Sequence, residues 1–345
     1  MGRLFNAGRV LLAMLGCTAL LCSPLLAKDY LYVPVSNALQ IIDCETDTVV
    51  KTLPVYNDYI MQATYSHDGK RYYASAQHSV YAFDTASQTL ADTYRFSTEL
   101  SKVTIVGIAV SPDNGRLYLS ANIVKKKQNI PKLNVVPPQL IVYDISEKKV
   151  VKNYPIPQMV TQILVLPNDE DRLLLLGADL VELNLKSGEI TKRVGIMNPG
   201  DGEEGKNALA IWDNSSPGDH GVFTSPYYTA EGMGYFLIDR NSGDIRMLPG
   251  KDVWFEYSTT LSPDRKYLYG VMDELIQLDA ATGETVKIVP VQQGTCYAVN
   301  ITSDGKKLYV GPAGADVSVY DAQSLELIGV IPLEADGVVA HRFTM

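Results

Sequence analysis

Seven times along this chain of 345 residues, an apolar alternating run stops at Asp or Asn, passes through a polar turn and resumes as another β-rich run. The stops are Asp43, Asp84, Asp144, Asn184, Asp239, Asp279 and Asp321, spaced by 41, 60, 40, 55, 40 and 42 residues. A second signature precedes several of them: SHDGKRYYAS from Ser66, SPDNGRLYLS from Ser111, SPDRKYLYG from Ser262, TSDGKKLYV from Thr302 and a weaker LPNDEDRLLLL from Leu166. Asp, Asn and Gly accept the conformations of a tight turn, and the aromatic and β-branched residues that follow suit a packed strand. Two hairpins in a period of roughly 40 to 45 residues amount to four short strands, the sequence signature of a β-propeller blade. The expected fold is therefore all-β, a seven-bladed β-propeller. Asp68, Asp113, Asp264 and Asp304 are expected to serve as turn formers rather than as acids.

The first 27 residues stand outside the repeat. They carry Arg3 and Arg9 and no acid, then a largely apolar run from Leu11 to Leu21, then a small residue, Ala27, before Lys28 and Asp29. That is the layout of a secretory signal, and its apolar core is short for a transmembrane helix. Residues 1–27 are read as a signal peptide cleaved near Ala27, and residues 28–345 as one propeller domain, which makes the mature protein exported. The remaining 318 residues allow about 45 per blade, and no later stretch is apolar enough to span a membrane. The formal net charge of −9 becomes −11 without the two arginines, which argues against nucleic acid as a partner.

The mature chain begins with what reads as strand B of the first blade, Tyr30 to Val33, and ends with an unassigned alternating run, Gly337 to Met345. Docking that C-terminal run as strand A of the first blade closes the ring and removes open sheet edges. The remaining blades are expected near 59–97, 104–157, 159–197, 206–249, 253–290 and 295–333. In a blade the A–B and C–D turns share one face of the ring, and the B–C and D–A connections share the other. Asn122 to Pro138 is expected to extend a B–C connection and Asn198 to Lys206 a D–A connection, both on one face; Asp213 to Gly221 extends an A–B turn on the opposite face. Cys44 and Cys296 fall on opposite faces by the same rule, which disfavours a disulfide.

Several chemistries are absent from the sequence. There is no Cys-x-x-Cys-His for covalent haem, no paired histidines at metal-ligand spacing, no Gly-x-Ser-x-Gly elbow and no P-loop. What remains is the set of strand-A beginnings at the channel mouth: Asp58 and Tyr59, Gln162, Asn207, Trp254 to Tyr257, and Cys296 with Tyr297. Among these, Asp58, Tyr59, Trp254, Phe255, Glu256, Tyr257 and Tyr297 are the candidate pocket or partner-interface residues, because aromatic walls with a few polar groups suit a ligand site or a protein hot spot.

The Asp-Gly-Lys-x-Leu-Tyr-Val hairpins followed by Val-Tyr-Asp resemble the YVTN class of seven-bladed propellers over the whole mature chain. More narrowly, KDYLYVPVSNALQIID and VWFEYSTTLSPDRKYLYG are similar to the β-subunit family of bacterial quinohemoprotein amine dehydrogenases. The resemblance implies a periplasmic heterotrimer that converts primary amines to aldehyde and ammonia. In it a small subunit carries cysteine tryptophylquinone and a second partner, a dihaem cytochrome c subunit, carries the haem c groups. The propeller would then be non-catalytic, holding the small subunit and walling the amine's entrance, with no cofactor, metal or catalytic residue of its own. Two other classes compete: a lactonase-like hydrolase, for which Asp58 and Glu256 are the acids at hand, and a surface or adhesion repeat protein.

The purified mature chain is expected to show no visible absorption band and no stoichiometric metal. A haem spectrum or a bound metal at one equivalent would overturn that expectation.

Overall fold

The structure, a computed structural model, describes residues 28–55, 60–129, 131–200, 202–208, 221–230, 232–250, 255–311, 313–337 and 339–344. These form seven four-stranded antiparallel sheets, with no helix among the described residues. Strands run A to D from the central channel to the rim, and neighbouring sheets meet through their A strands and faces. Seven buried apolar clusters fill the seven seams between blades, each drawing side chains from two neighbours. The alternation that marks each strand in the sequence thus serves two seams, one per sheet face.

The recurring acids build the turns. At the C–D turns the marker side chain accepts from backbone two and three residues on, as Asp279 does from Ala281 N at 2.9 Å and Thr282 N at 2.8 Å, and Asn184 from Lys186 N and Ser187 N. At the A–B turns a Ser or Thr hydroxyl donates to the Asp two residues on, as Ser262 to Asp264 and Thr302 to Asp304, both at 2.7 Å. The Ser262 hydroxyl and Lys266 hold the Asp264 carboxyl down to about 2. The next turn position has positive φ at Gly69, Asn114, Arg265 and Gly305, which explains the preference for Gly or Asn there.

The first blade is closed by both ends of the domain. Strand A, His341–Thr344, pairs with strand B, Asp29–Val35, and an isolated bridge joins Val35 to Gly337. Beneath the pairing, Arg342 Nη1 meets Asp29 Oδ1 at 2.8 Å, with the two side chains only 1% and 7% exposed. Thr344 Oγ1 and Ser303 N also donate to the Asp29 carboxylate, and Asn300 of blade seven bonds the backbone of Ala340 and Arg342. The aromatic rings of Tyr65 and Phe343 stack at 4.5 Å across the seam with blade two.

Two expectations need adjustment. Asn122 to Pro138 is largely strand, not loop: strand B of blade three runs Arg116–Lys126 and strand C runs Leu133–Asp144, leaving only the turn between them. Val124 pairs with Val135 and Ile123 with Val136, while a register shift absorbs Pro137 and Pro138, where strand C has no strand D beside it. β-Branched pairing there outweighs the lysines and prolines that read as a loop. Strand A of this blade also begins earlier than expected, at Ser101, and pairs with Lys125. Asp213 to His220 lies outside the described residues. Cys44 and Cys296 are free and buried in separate seams, and burial pushes both thiols up to about 12.

Arg342→Ala leaves the Asp29 carboxylate buried without its cation, a change that commonly costs about 3–5 kcal/mol. We expect a clear fall in melting temperature, and a comparable or larger one when the chain is cut after Asp336. If either variant melts with the intact chain, closure does not depend on this strand.

Candidate functional site

The D–A connections into blades six and seven place three candidate aromatics side by side. Phe255 and Tyr257 precede strand A of blade six, Ser258–Leu261, and Tyr297 precedes strand A of blade seven, Val299–Ile301. Two backbone bonds hold these approaches: Tyr257 N donates to Val271 O at 2.8 Å, and Cys296 N donates to Met272 O at 2.7 Å. The rings then form a chain. Phe255 and Tyr257 meet edge to face at 5.7 Å, and Tyr257 and Tyr297 lie 5.0 Å apart. Tyr228, at the end of strand B of blade five, continues the row at 6.0 Å from Phe255. Asn207, the first residue of strand A of that blade, pairs with Tyr228 in the ladder.

The row spans three blades on the face of the B–C and D–A connections. Phe255 is 45% exposed, and Tyr228, Tyr257 and Tyr297 are half-buried, so edges and faces of the rings remain open to a ligand or partner. The sequence does not single out Tyr228, because it lies within strand B beside Tyr227 and not ahead of a strand A. The only signal was its position at the B–C end of a strand. Asp58, Tyr59 and Trp254 lie outside the described residues. Gln162 is buried at the start of strand A of blade four, and Cys296 is buried in the seam between blades six and seven, so neither adds exposed surface to the row.

Glu256 behaves differently from its neighbours. Between the part-exposed rings of Phe255 and Tyr257, its side chain turns into the seam between blades five and six, against Tyr235 and Gly270, where it is 0% exposed. Its Oε1 accepts from the Tyr235 hydroxyl at 2.8 Å, and its Oε2 has no partner among the described residues. The carboxyl lies over Gly270, where a Cβ would stand 1.8 Å from Oε2, so that position admits no side chain. Burial raises the carboxyl to about 7, and the Tyr235 bond only partly opposes it. The expectation that Glu256 belongs to an open pocket wall or interface is therefore corrected: it underlies the wall.

On the opposite face a cavity of about 150 Å³ opens at the channel, lined by Thr64, His67, Ala109, Arg240, Asn241 and His341 among others. Arg240 lies over the Phe223 ring at 5.7 Å.

By sequence the chain matches no family model and no curated protein. By structure it resembles other propellers. One is dihydro-heme d1 dehydrogenase NirN in complex with DHE, at a TM-score of 0.56 and 14% identity, covering 91% of this chain and 74% of that one. Another is the hydrazine synthase of Kuenenia stuttgartiensis, at a TM-score of 0.55 and 15% identity, covering 87% of this chain and 90% of that one. At these identities the likeness establishes the propeller fold alone.

Glu256 yields a pH test. The folded chain keeps this proton where the unfolded chain releases it, so the group's contribution is complete at acid pH. It declines by roughly 3 kcal/mol as pH rises through the interval up to about 7. Glu256→Gln retains the acceptor for Tyr235 and removes the titration. Its stability relative to wild type should improve between about pH 5 and about pH 8 in denaturant melts. Parallel profiles for the two proteins would exclude a buried, raised carboxyl.

Proposed function

We propose that this chain is the non-catalytic propeller subunit of a periplasmic amine dehydrogenase complex, and that the aromatic row receives its quinone-bearing small subunit. The observation that carries this reading is the Tyr228–Phe255–Tyr257–Tyr297 row itself: four rings in contact, on one face, exposed in part and backed by a buried seam. Clustered aromatic anchors at the centre of a contact supply most of the affinity in protein interfaces. The sequence signal at residues 1–27 supports export, and the resemblance of residues 28–43 and 253–270 supports the amine dehydrogenase assignment.

In this reading the partner's cysteine tryptophylquinone supplies the electron-accepting and nitrogen-transferring chemistry that takes a primary amine to aldehyde and ammonia, and the dihaem cytochrome c subunit passes the electrons on. This chain's residues bind and exclude water. Phe255, Tyr257 and Tyr297 present apolar ring surface and hydroxyls at the rim, while Glu256 stays protonated beneath them through most of the acid range and adds no fixed negative charge there. A stand-alone hydrolase would need carboxylates converging on the mouth, and the inward turn of Glu256 counts against it.

Phe255→Ala and Tyr297→Ala should each weaken capture of the small subunit by ~2 kcal/mol, roughly thirtyfold, or raise the Michaelis constant for amine. Thr46→Ala, in a C–D turn on the other face, should change neither. Affinity measurements with the small subunit and steady-state kinetics decide it. Wild-type behaviour from both aromatic variants would remove the row from the interface.

A further inference from the structure

The extended strands of blade three form a three-stranded ribbon that rises beyond the ring. Ser101, Lys125 and Asn134 share one row across it, Lys102, Val124 and Val135 the next, and Val103, Ile123 and Val136 the third. Its two faces differ. Ile123 and Ala121 lie on the side of Leu117 and Leu119, which pack with Tyr94 of blade two. Val124 and Lys126 lie on the side of Tyr118, which packs with blade four, and of Ser120, whose hydroxyl bonds Val160 O at 2.7 Å.

Among the described residues, that second face is largely uncovered. Val135 is 73% exposed and Leu133 60%, with Leu100 and, at the foot of the ribbon, Met159 also exposed. Large apolar side chains grouped on one exposed sheet face mark an interaction surface rather than scatter. Charge selects the occupant. Lys102, Lys125, Lys126, Lys127 and Lys132 are all exposed, and none forms an ion pair among the described residues. No acid occurs in residues 117–138, in a chain whose formal net charge is −9. Other lysines of the chain do pair with acids, as Lys148 with Asp92 at 2.5 Å and Lys307 with Asp47 at 2.7 Å.

We propose that this ribbon is a docking arm for a second protein partner whose facing surface is acidic around an apolar centre. Unneutralised cations fixed around an apolar patch steer such a partner and set its register, while the acidic remainder of this chain repels it elsewhere. A lipid surface fits less well, because the apolar side chains lie on a flat face set back from a turn that carries Lys127 and Lys132. The aromatic row begins two blades away and is assigned to the small subunit, so within the proposed complex, on which this inference rests, the arm's occupant is the haem-bearing subunit.

The test is tag capture of the mature chain co-expressed with both partner subunits, reading the haem-bearing subunit by its visible absorbance and the small subunit by mass. Lys102→Glu with Lys126→Glu, and separately Leu133→Ser with Val135→Ser, should weaken haem-subunit binding at least about tenfold, with small-subunit capture intact and melting temperature unchanged. Wild-type binding should itself weaken as salt is added. Lys51→Glu, on the rim of blade one, should have no effect. Full retention of the haem-bearing subunit by both double variants overturns the arm and leaves the proposed function standing, whereas failure of the wild-type chain to capture either subunit overturns both. Loss of both subunits together from the folded variants denies the arm a partner of its own. Binding of phosphatidylglycerol vesicles that the lysine variants abolish, with subunit capture unchanged, assigns the ribbon to a membrane and overturns the inference.

Discussion

Arg342 and Asp29 hold the two ends of the domain in one sheet, and the other six blades depend on that junction. A propeller has no single centre of packing; each blade is buried by its neighbours, so an open seam exposes two sheet faces at once. Here the last seam is closed by an ion pair that is almost fully buried, with Thr344 and Ser303 donating to the same carboxylate and Asn300 pinning the strand from blade seven. A pair so buried contributes little net stability against an apolar substitute, yet losing one partner is costly. Its geometry selects one register, because only that pairing of Asp29 with Thr344 and Tyr32 with His341 brings the charges together.

The same economy divides the ring into a repeated turn geometry on one face and a varied one on the other. Every A–B and C–D turn with a marker acid uses its side chain to satisfy backbone donors, and this leaves little freedom for those loops to diverge. The B–C and D–A connections share no such repeated device, although Asp179 accepts from Ile196 N and Asn198 N in blade four. The ribbon of blade three and the aromatic row of blades five to seven both arise there, by lengthening a hairpin in one case and by placing rings ahead of strand A in the other. Fixed turns on one side allow variation on the other without loss of register.

Glu256 shows how the scaffold and the row are joined. The approach to strand A exposes Phe255 and buries the next residue, a carboxylic acid seated over a glycine with one oxygen unpartnered among the described residues. Local rules that favour an apolar residue in a seam are broken directly beneath the aromatic row. Tyr235 and Gly270, on two different blades, make the exception possible.

The number of blades, the turn chemistry and the C-terminal closure were all legible in the sequence, because each rests on residues close together in the chain: a stop acid and the donors two or three residues beyond it, or a strand's own alternation. Phe255, Tyr257 and Tyr297 could be chosen for the same reason, from their place just before strand A. What depended on tertiary structure was which groups meet across blades. Tyr228 joins the row by meeting Phe255 across blades, and Glu256 leaves it because Tyr235 and Gly270 receive its carboxyl in the seam between blades five and six. The segment from Asn122 to Pro138 reads as loop from its lysines and prolines, and becomes strand because Val124, Val135 and Lys102 find one another across three strands. Local hydrogen bonding writes a fold's repeats into the sequence; pairing between distant segments determines where that fold offers a surface.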